Sequence, residues 1–116
     1  MEENDCLFCK IVNKTIPSKL EYEDGLTIAF NDITPQAPGH LLVVPKRHIR
    51  SLSDAKEEDK ALLGHLLWVV SMLGAKKGGA DSGFRTVINS GASAGQSVFH
   101  LHIHLLSGRP FYWPPG

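Results

Sequence analysis

Polar and apolar positions alternate most regularly in the stretch SVFHLHIHLLSG, where Leu101, Ile103 and Leu105 separate His100, His102 and His104. A period of two predicts a half-buried strand, because successive side chains leave a pleated backbone on opposite faces. The three imidazoles then share one face. The apolar residues fix the register, since a slip of one position would exchange the two sets. A second signal is the continuous apolar run HLLVVP, closed by Pro45, which predicts a buried central strand. Between the two, Leu62, Leu63, Leu66, Leu67, Val70 and Leu73 recur at helical spacing after the start signal of Ser53, Asp54 and Glu57. One long helix is predicted there. It should fade near AKKGGADSG, where Lys76 and Lys77 suit the negative end of the helix dipole and the glycines stop it.

The rest of the chain is read the same way. Leu7, Phe8, Ile11 and Val12 have helical spacing and Pro17 forbids continuation, which gives a short first helix. KLEYED and LTIAFND flank Asp24-Gly25, a dipeptide suited to a two-residue hairpin turn with positive φ at both positions. ITPQAPG is a loop, FRTVIN a strand and SGASAGQS a small-residue loop. The elements predict an α+β fold: an antiparallel sheet of about five strands, with one long helix on one side and a short N-terminal helix.

The 116 residues suit one domain, 1–116, with a core large enough to need no disulfide framework. Twelve basic residues balance twelve acidic ones, which argues against nucleic acid or a membrane surface as the main partner and favours a small ligand. The start MEENDC does not read as a secretory signal, and no apolar run is long enough to span a bilayer. A soluble, intracellular protein is expected. Cys6 and Cys9 are three positions apart, which suggests a metal ligand pair, a redox pair or chance.

Half of the six histidines lie in the alternating row. They can be surface histidines, metal ligands, a nucleophilic centre at phosphorus, or a nucleotide-type binding site without turnover. One ion cannot hold all three, because residues four apart on a strand lie ~13 Å apart while metal–nitrogen bonds are ~2.1 Å. For covalent catalysis the spacing helps: a central neutral imidazole can attack a phosphoryl group while one neighbour orients it and the other holds the phosphate. The preceding GASAGQS could bring backbone N–H groups close to an anion, with Gln96 and Ser97 adding side-chain donors.

HLHIHLL, within NSGASAGQSVFHLHIHLLSGR, together with FNDITPQAPGHLLVVPKRHI and the terminal WPPG, closely resembles the histidine-triad (HIT) family. The branch it resembles is that of the histidine-triad nucleotide-binding proteins (Hint). The resemblance covers nearly the whole chain. It implies a HIT-like fold and hydrolysis of purine nucleoside phosphoramidates, AMP or GMP joined to an amine. The alternatives are a nucleotide-sensing interaction module whose hydrolysis is incidental, and a nucleotidyl transferase. Carried over by position, His102 is the nucleophile, His104 contacts the α-phosphate, and His100 and His48 support them. Asn89, Gly95, Gln96 and Ser97 match phosphate-side contacts, Ser97 also lying near the leaving group. Asp32 matches the ribose-binding carboxylate, and Leu7, Phe8, Ile11, Phe30 and Ile33 the apolar base pocket. Some members that share Cys-x-x-Cys hold a structural zinc, which implies Cys6, Cys9, His48 and His100 as its ligands here. The resemblance further implies a homodimer in which Trp113 of one subunit borders the leaving group of the other, and a cytoplasmic location with the nucleus as a second compartment. The chain departs from the branch at Ser107, commonly glycine, and at Pro110 and Phe111.

Overall fold

The computed structural model describes residues 5–116, without the side chains of residues 78–82. Strands β1 (Leu20–Glu23), β2 (Thr27–Asn31), β3 (Gly39–Pro45), β4 (Arg85–Val87) and β5 (Ile103–Ser107) form one sheet in the order β1-β2-β3-β5-β4. Every neighbouring pair is antiparallel. The apolar run around HLLVVP is the middle strand, as its lack of alternation demands of a strand covered on both faces. Ala29, Leu41, Val43, Ile103 and Leu105 meet Leu66, Val69, Val70 and Leu73 of helix α2 (Lys60–Ser82) on one face. Ile28, Phe30, Leu42 and Val44 meet Phe8, Cys9 and Ile11 of helix α1 (Leu7–Val12) on the other. Among the described residues no helix is long and apolar enough to cross a membrane.

Four local expectations are corrected. The histidine row is not half-buried: His100 is 0% and His102 6% exposed, because α1 covers the histidine face as α2 covers the leucine face. Only Ile103–Ser107 is strand; residues 98–100 before it bend, and the Leu101 N–H ties the approach to the Ile49 carbonyl. Secondly, Ser53, Asp54 and Glu57 do not start the long helix. They lie in two 3-10 turns, Leu52–Asp54 and Glu57–Asp59. There Asp59, buried and paired with Arg47, accepts the Lys56 N–H at 2.8 Å. Thirdly, Leu67 points outward beside Trp68 instead of joining the buried stripe, while α2 does end inside AKKGGADSG, passing Gly78 and Gly79 and stopping at Gly83. Finally, the hairpin turn has three residues, Asp24 to Leu26, and Gly25 does not adopt positive φ. Asp24 closes it instead, accepting the N–H groups of Leu26 and Thr27 at 2.8 Å each. Its other oxygen accepts the Tyr22 hydroxyl and faces His65 Nε2, both at 2.7 Å. Burial alone would raise the Asp24 carboxyl, but the hydrogen bonds outweigh it and hold it at about 2.

Candidate active site

The second face of the sheet opens into a cavity of about 600 Å³, inside the ~300–1,000 Å³ range of small-ligand sites. Phe8 and Phe30 wall it edge to face, with centroids 5.3 Å apart, and Phe8 also meets the His102 ring at 5.1 Å. Helix α1 supplies Leu7 and Ile11, and β2 with its following loop supplies Phe30, Asp32 and Ile33. Ser97, His102 and His104 complete the polar end. Apolar walls with a few polar groups at one end suit a flat heterocycle carrying an anionic group.

Hydrogen bonds fix which ring nitrogens carry protons. His102 Nδ1 is 2.7 Å from the His100 carbonyl, so Nδ1 donates and Nε2 keeps the lone pair of a nucleophile. The Gln36 N–H donates to His40 Nδ1 at 2.9 Å, which places the proton of neutral His40 on Nε2. That Nε2 lies 2.9 Å from His104 Nδ1, nearer than the 3.5 Å to Asp32 Oδ2. His104 therefore accepts at Nδ1 and carries its own proton on Nε2. Burial lowers the basicity of all three rings: first at His102, first also at His104, where His102 and His40 add to it and the value is about 4, and at His40, where Asp32 opposes it. All three are neutral at pH 7.

The loop before the row is more closed than its glycines suggest. Gly91 (φ 97°) and Gly95 (φ 102°) bracket a 3-10 turn, and the N–H groups of Gly91, Ala94, Gly95 and Gln96 are all spent within it. Gln96 is buried, its oxygen accepting from Gly91 and its nitrogen donating to the carbonyls of Arg50 and Val98. Its amide holds the loop and offers no donor to an anion, which corrects the expected role of that side chain. Asn89, Gly95, Gln96 and Trp113 do not line the cavity, and Trp113 is 83% exposed. Asn89 sits beside Gly95.

Two features were missed by sequence reasoning. His40 was hidden at the head of an apolar strand, although alternation with Leu42 and Val44 puts it on the cavity face. Since Leu42 pairs with His104, His40 is the diagonal neighbour that reaches it. Ser18, Lys19 and Asn31 also border the cavity, from a loop and a strand end that carry no motif.

Behind the cavity Cys6, Cys9, His48 and His100 converge, their four ligand atoms all within 4.8 Å of one another. His100 Nε2 donates to the Pro45 carbonyl at 2.8 Å, which leaves Nδ1 bare. That Nδ1 lies 3.4 Å from Cys6 Sγ, 3.5 Å from Cys9 Sγ and 3.1 Å from His48 Nδ1. A tetrahedral ion with bonds of about 2.0–2.3 Å sets its ligands about 3.3–3.8 Å apart, so two thiolates and two imidazoles here can hold a metal ion.

Residues 13–111 match the family model of the HIT domain. A relative from Synechocystis sp., described as an uncharacterized HIT-like protein, is 54% identical over 112 residues, covering 97% of each chain. The "14 kDa zinc-binding protein" of Zea mays is 46% identical, covering 100% of this chain and 91% of its own. Among solved structures, a HIT family hydrolase from Legionella pneumophila superposes with a TM-score of 0.93 at 45% identity, over 97% of this chain and 100% of its own. A Zn-bound histidine triad family protein from Mycobacterium smegmatis gives 0.77 at 34% identity, over 93% and 78%. With the fold, the ordered histidines and the matched length in agreement, this chain belongs to the histidine-triad (HIT) family.

Proposed function

We propose that the protein hydrolyses purine nucleoside phosphoramidates through a nucleotidyl intermediate on His102. One observation carries the reading: His102, protonated at Nδ1 by its bond to the His100 carbonyl, keeps its Nε2 lone pair at an apolar-walled cavity. Nε2 attacks the α-phosphorus, the phosphorus–amine bond breaks, and the amine leaves with a proton passed from water through the Ser97 hydroxyl, which the water of the second step returns. Water then opens the phosphorus–imidazole bond to give the nucleoside monophosphate and restores His102. His104, a donor at Nε2, stabilises charge on the phosphoryl oxygens, and Ser97 serves the departing amine. Asp32 Oδ2, 3.5 Å from His40 Nε2, suits a ribose hydroxyl better than Oδ1, which already accepts the Thr34 N–H and hydroxyl. Phe8 and Phe30 flank the purine.

The same reading includes a structural zinc on Cys6, Cys9, His48 and His100, with no coordination position left for water. It also includes a homodimer, supported by the exposed Leu67 and Trp68 on α2, the short edge strand β4, and the exposed aromatic tail. Mass spectrometry of the protein briefly mixed with an adenosine phosphoramidate tests the mechanism. An adenylyl group on His102 is expected. His102→Ala should show none and should lose several orders of magnitude in turnover. An adduct elsewhere, or near-normal turnover of the variant, would reject it.

A further inference from the structure

The hydrogen-bond chain that sets the proton on His104 does not end at His40. The Gln36 N–H holds His40 Nδ1, and Gln36 lies between Pro35 and Pro38 in a segment where those prolines supply no donors. The Gln36 carbonyl is in turn held by Arg109, from the other end of the chain: Nε donates at 3.2 Å and Nη2 at 3.1 Å. The third donor, Nη1, bonds the Pro110 carbonyl at 2.9 Å, and the guanidinium plane lies over the Phe111 ring at 4.3 Å. The Gln36 side chain adds only a bond to the Thr34 carbonyl within the same loop.

The geometry points to Arg109 as a positioning residue: its guanidinium fork anchors Gln36, whose N–H fixes the His40 tautomer and thereby keeps His104 a donor at Nε2. If the anchor is lost, Gln36 can swing, His40 Nδ1 loses its donor, and the proton between His40 and His104 gains a second arrangement, opposed only by Asp32 Oδ2 at 3.5 Å from His40 Nε2. In the second, His104 is protonated at Nδ1 and presents a bare nitrogen to the cavity. That nitrogen would repel a phosphoryl oxygen. An ammonium cannot replace the fork, because it is a point donor with no planar face for Phe111. The consequence for turnover rests on the proposed hydrolysis; the consequence for the histidine protons does not.

The test uses the full chain labelled with 15N-histidine and read by long-range proton–nitrogen correlation at neutral pH. The unchanged protein should show both His40 and His104 protonated at Nε2. In Arg109→Met both should move toward mixed tautomers, and Arg109→Lys should follow it. With an adenosine phosphoramidate, kcat should fall roughly three- to tenfold, the size of one hydrogen bond's worth of orientation, while KM stays within about twofold. Arg85→Met is the control for the tail: Arg85 bonds the Tyr112 carbonyl and lies 5.4 Å from the Phe111 ring centre, with no hydrogen bond to Gln36. It should leave both tautomers in place. Wild-type His40 and His104 signals in Arg109→Met would overturn the proposal, as would equal shifts in Arg85→Met. Intact tautomer shifts with no hydrolysis of any phosphoramidate would instead keep the positioning role and reject the hydrolase reading.

Discussion

At the scale of single residues, the chemistry depends on which histidine atoms are spoken for. The sequence made the row visible and its central member an attractive nucleophile, but it could not show that a main-chain carbonyl takes one nitrogen of His102 or that His40 takes one of His104. Both contacts come from chain geometry, and one joins residues 64 positions apart. His104 also makes stability depend on pH. Burial, with His102 and His40 beside it, holds its pKa at about 4, against ~6.5 in an unfolded chain. Between those values the unfolded state binds more protons than the native one, so stability is complete above about pH 6.5 and falls as pH drops toward 4. Thermal midpoints measured from pH 7.5 to 4 should therefore decline less steeply in His104→Asn than in the unchanged protein. Parallel declines would mean that His104 does not carry that part of the acid sensitivity.

At the scale of elements, type was legible because periodicity reports which faces are covered, and the middle strand and most of the α2 stripe follow from it, while the antiparallel sheet follows from the succession of elements along the chain. Boundaries were less so. Leu67 continues the leucine spacing of α2 yet faces outward, since spacing alone does not say where a covered stripe ends. The turn errors are of another kind: Asp24-Gly25 looked like a turn made by glycine, whereas the Asp24 carboxylate makes it. Gly25 has neither positive φ nor neighbours within reach of a Cβ, so Gly25→Ala should change stability by less than about 0.5 kcal/mol. Gly91 also has room for a Cβ, but its φ of 97° and ψ of 156° suit glycine almost alone, so Gly91→Ala should cost about 1–3 kcal/mol. Denaturant midpoints of the two variants separate these outcomes, and equal losses would restore the glycine-made hairpin. The cysteine pair works at this scale as well. Cys6 both caps α1, through the Cys9 N–H, and joins the cluster with His100, so a metal there would pin the Phe8 wall to the segment leading into β5. Purified protein should contain about one zinc per chain, and Cys6→Ser with Cys9→Ser should remove it and lower the thermal midpoint by at least about 5 °C. Metal-free protein with an unchanged midpoint after chelation would leave two buried thiols and no zinc site.

At the scale of the whole molecule, exposed apolar side chains occur at the cavity mouth, where Ile33 is 94% exposed, and also well away from it. Trp68 is 56% and Leu67 55% exposed on α2, while Tyr112 and Trp113 are 74% and 83% exposed on the tail. The tail is nonetheless held: Arg85 takes the Tyr112 carbonyl, and Arg85 and Arg109 flank the Phe111 ring at 5.4 and 4.3 Å. Tyr112 and Trp113, exposed on a tail that is held in place, offer an aromatic surface, and in the proposed dimer that surface meets the partner's leaving-group side. Because Trp113 is 83% exposed, Trp113→Ala should leave the thermal midpoint nearly unchanged and shift the ratio of rates for two phosphoramidates that differ only in the amine. A mixed dimer then identifies whose site the indole serves. Pairing a His102→Ala subunit with a Trp113→Ala subunit leaves one working nucleophile, on the chain that lacks the indole. If Trp113 acts across the two-fold axis, the His102→Ala chain supplies the missing ring and the mixed dimer regains the wild-type ratio at half the wild-type rate per dimer. If it acts within its own chain, the mixed dimer keeps the altered ratio of Trp113→Ala, and the cross-subunit role is rejected.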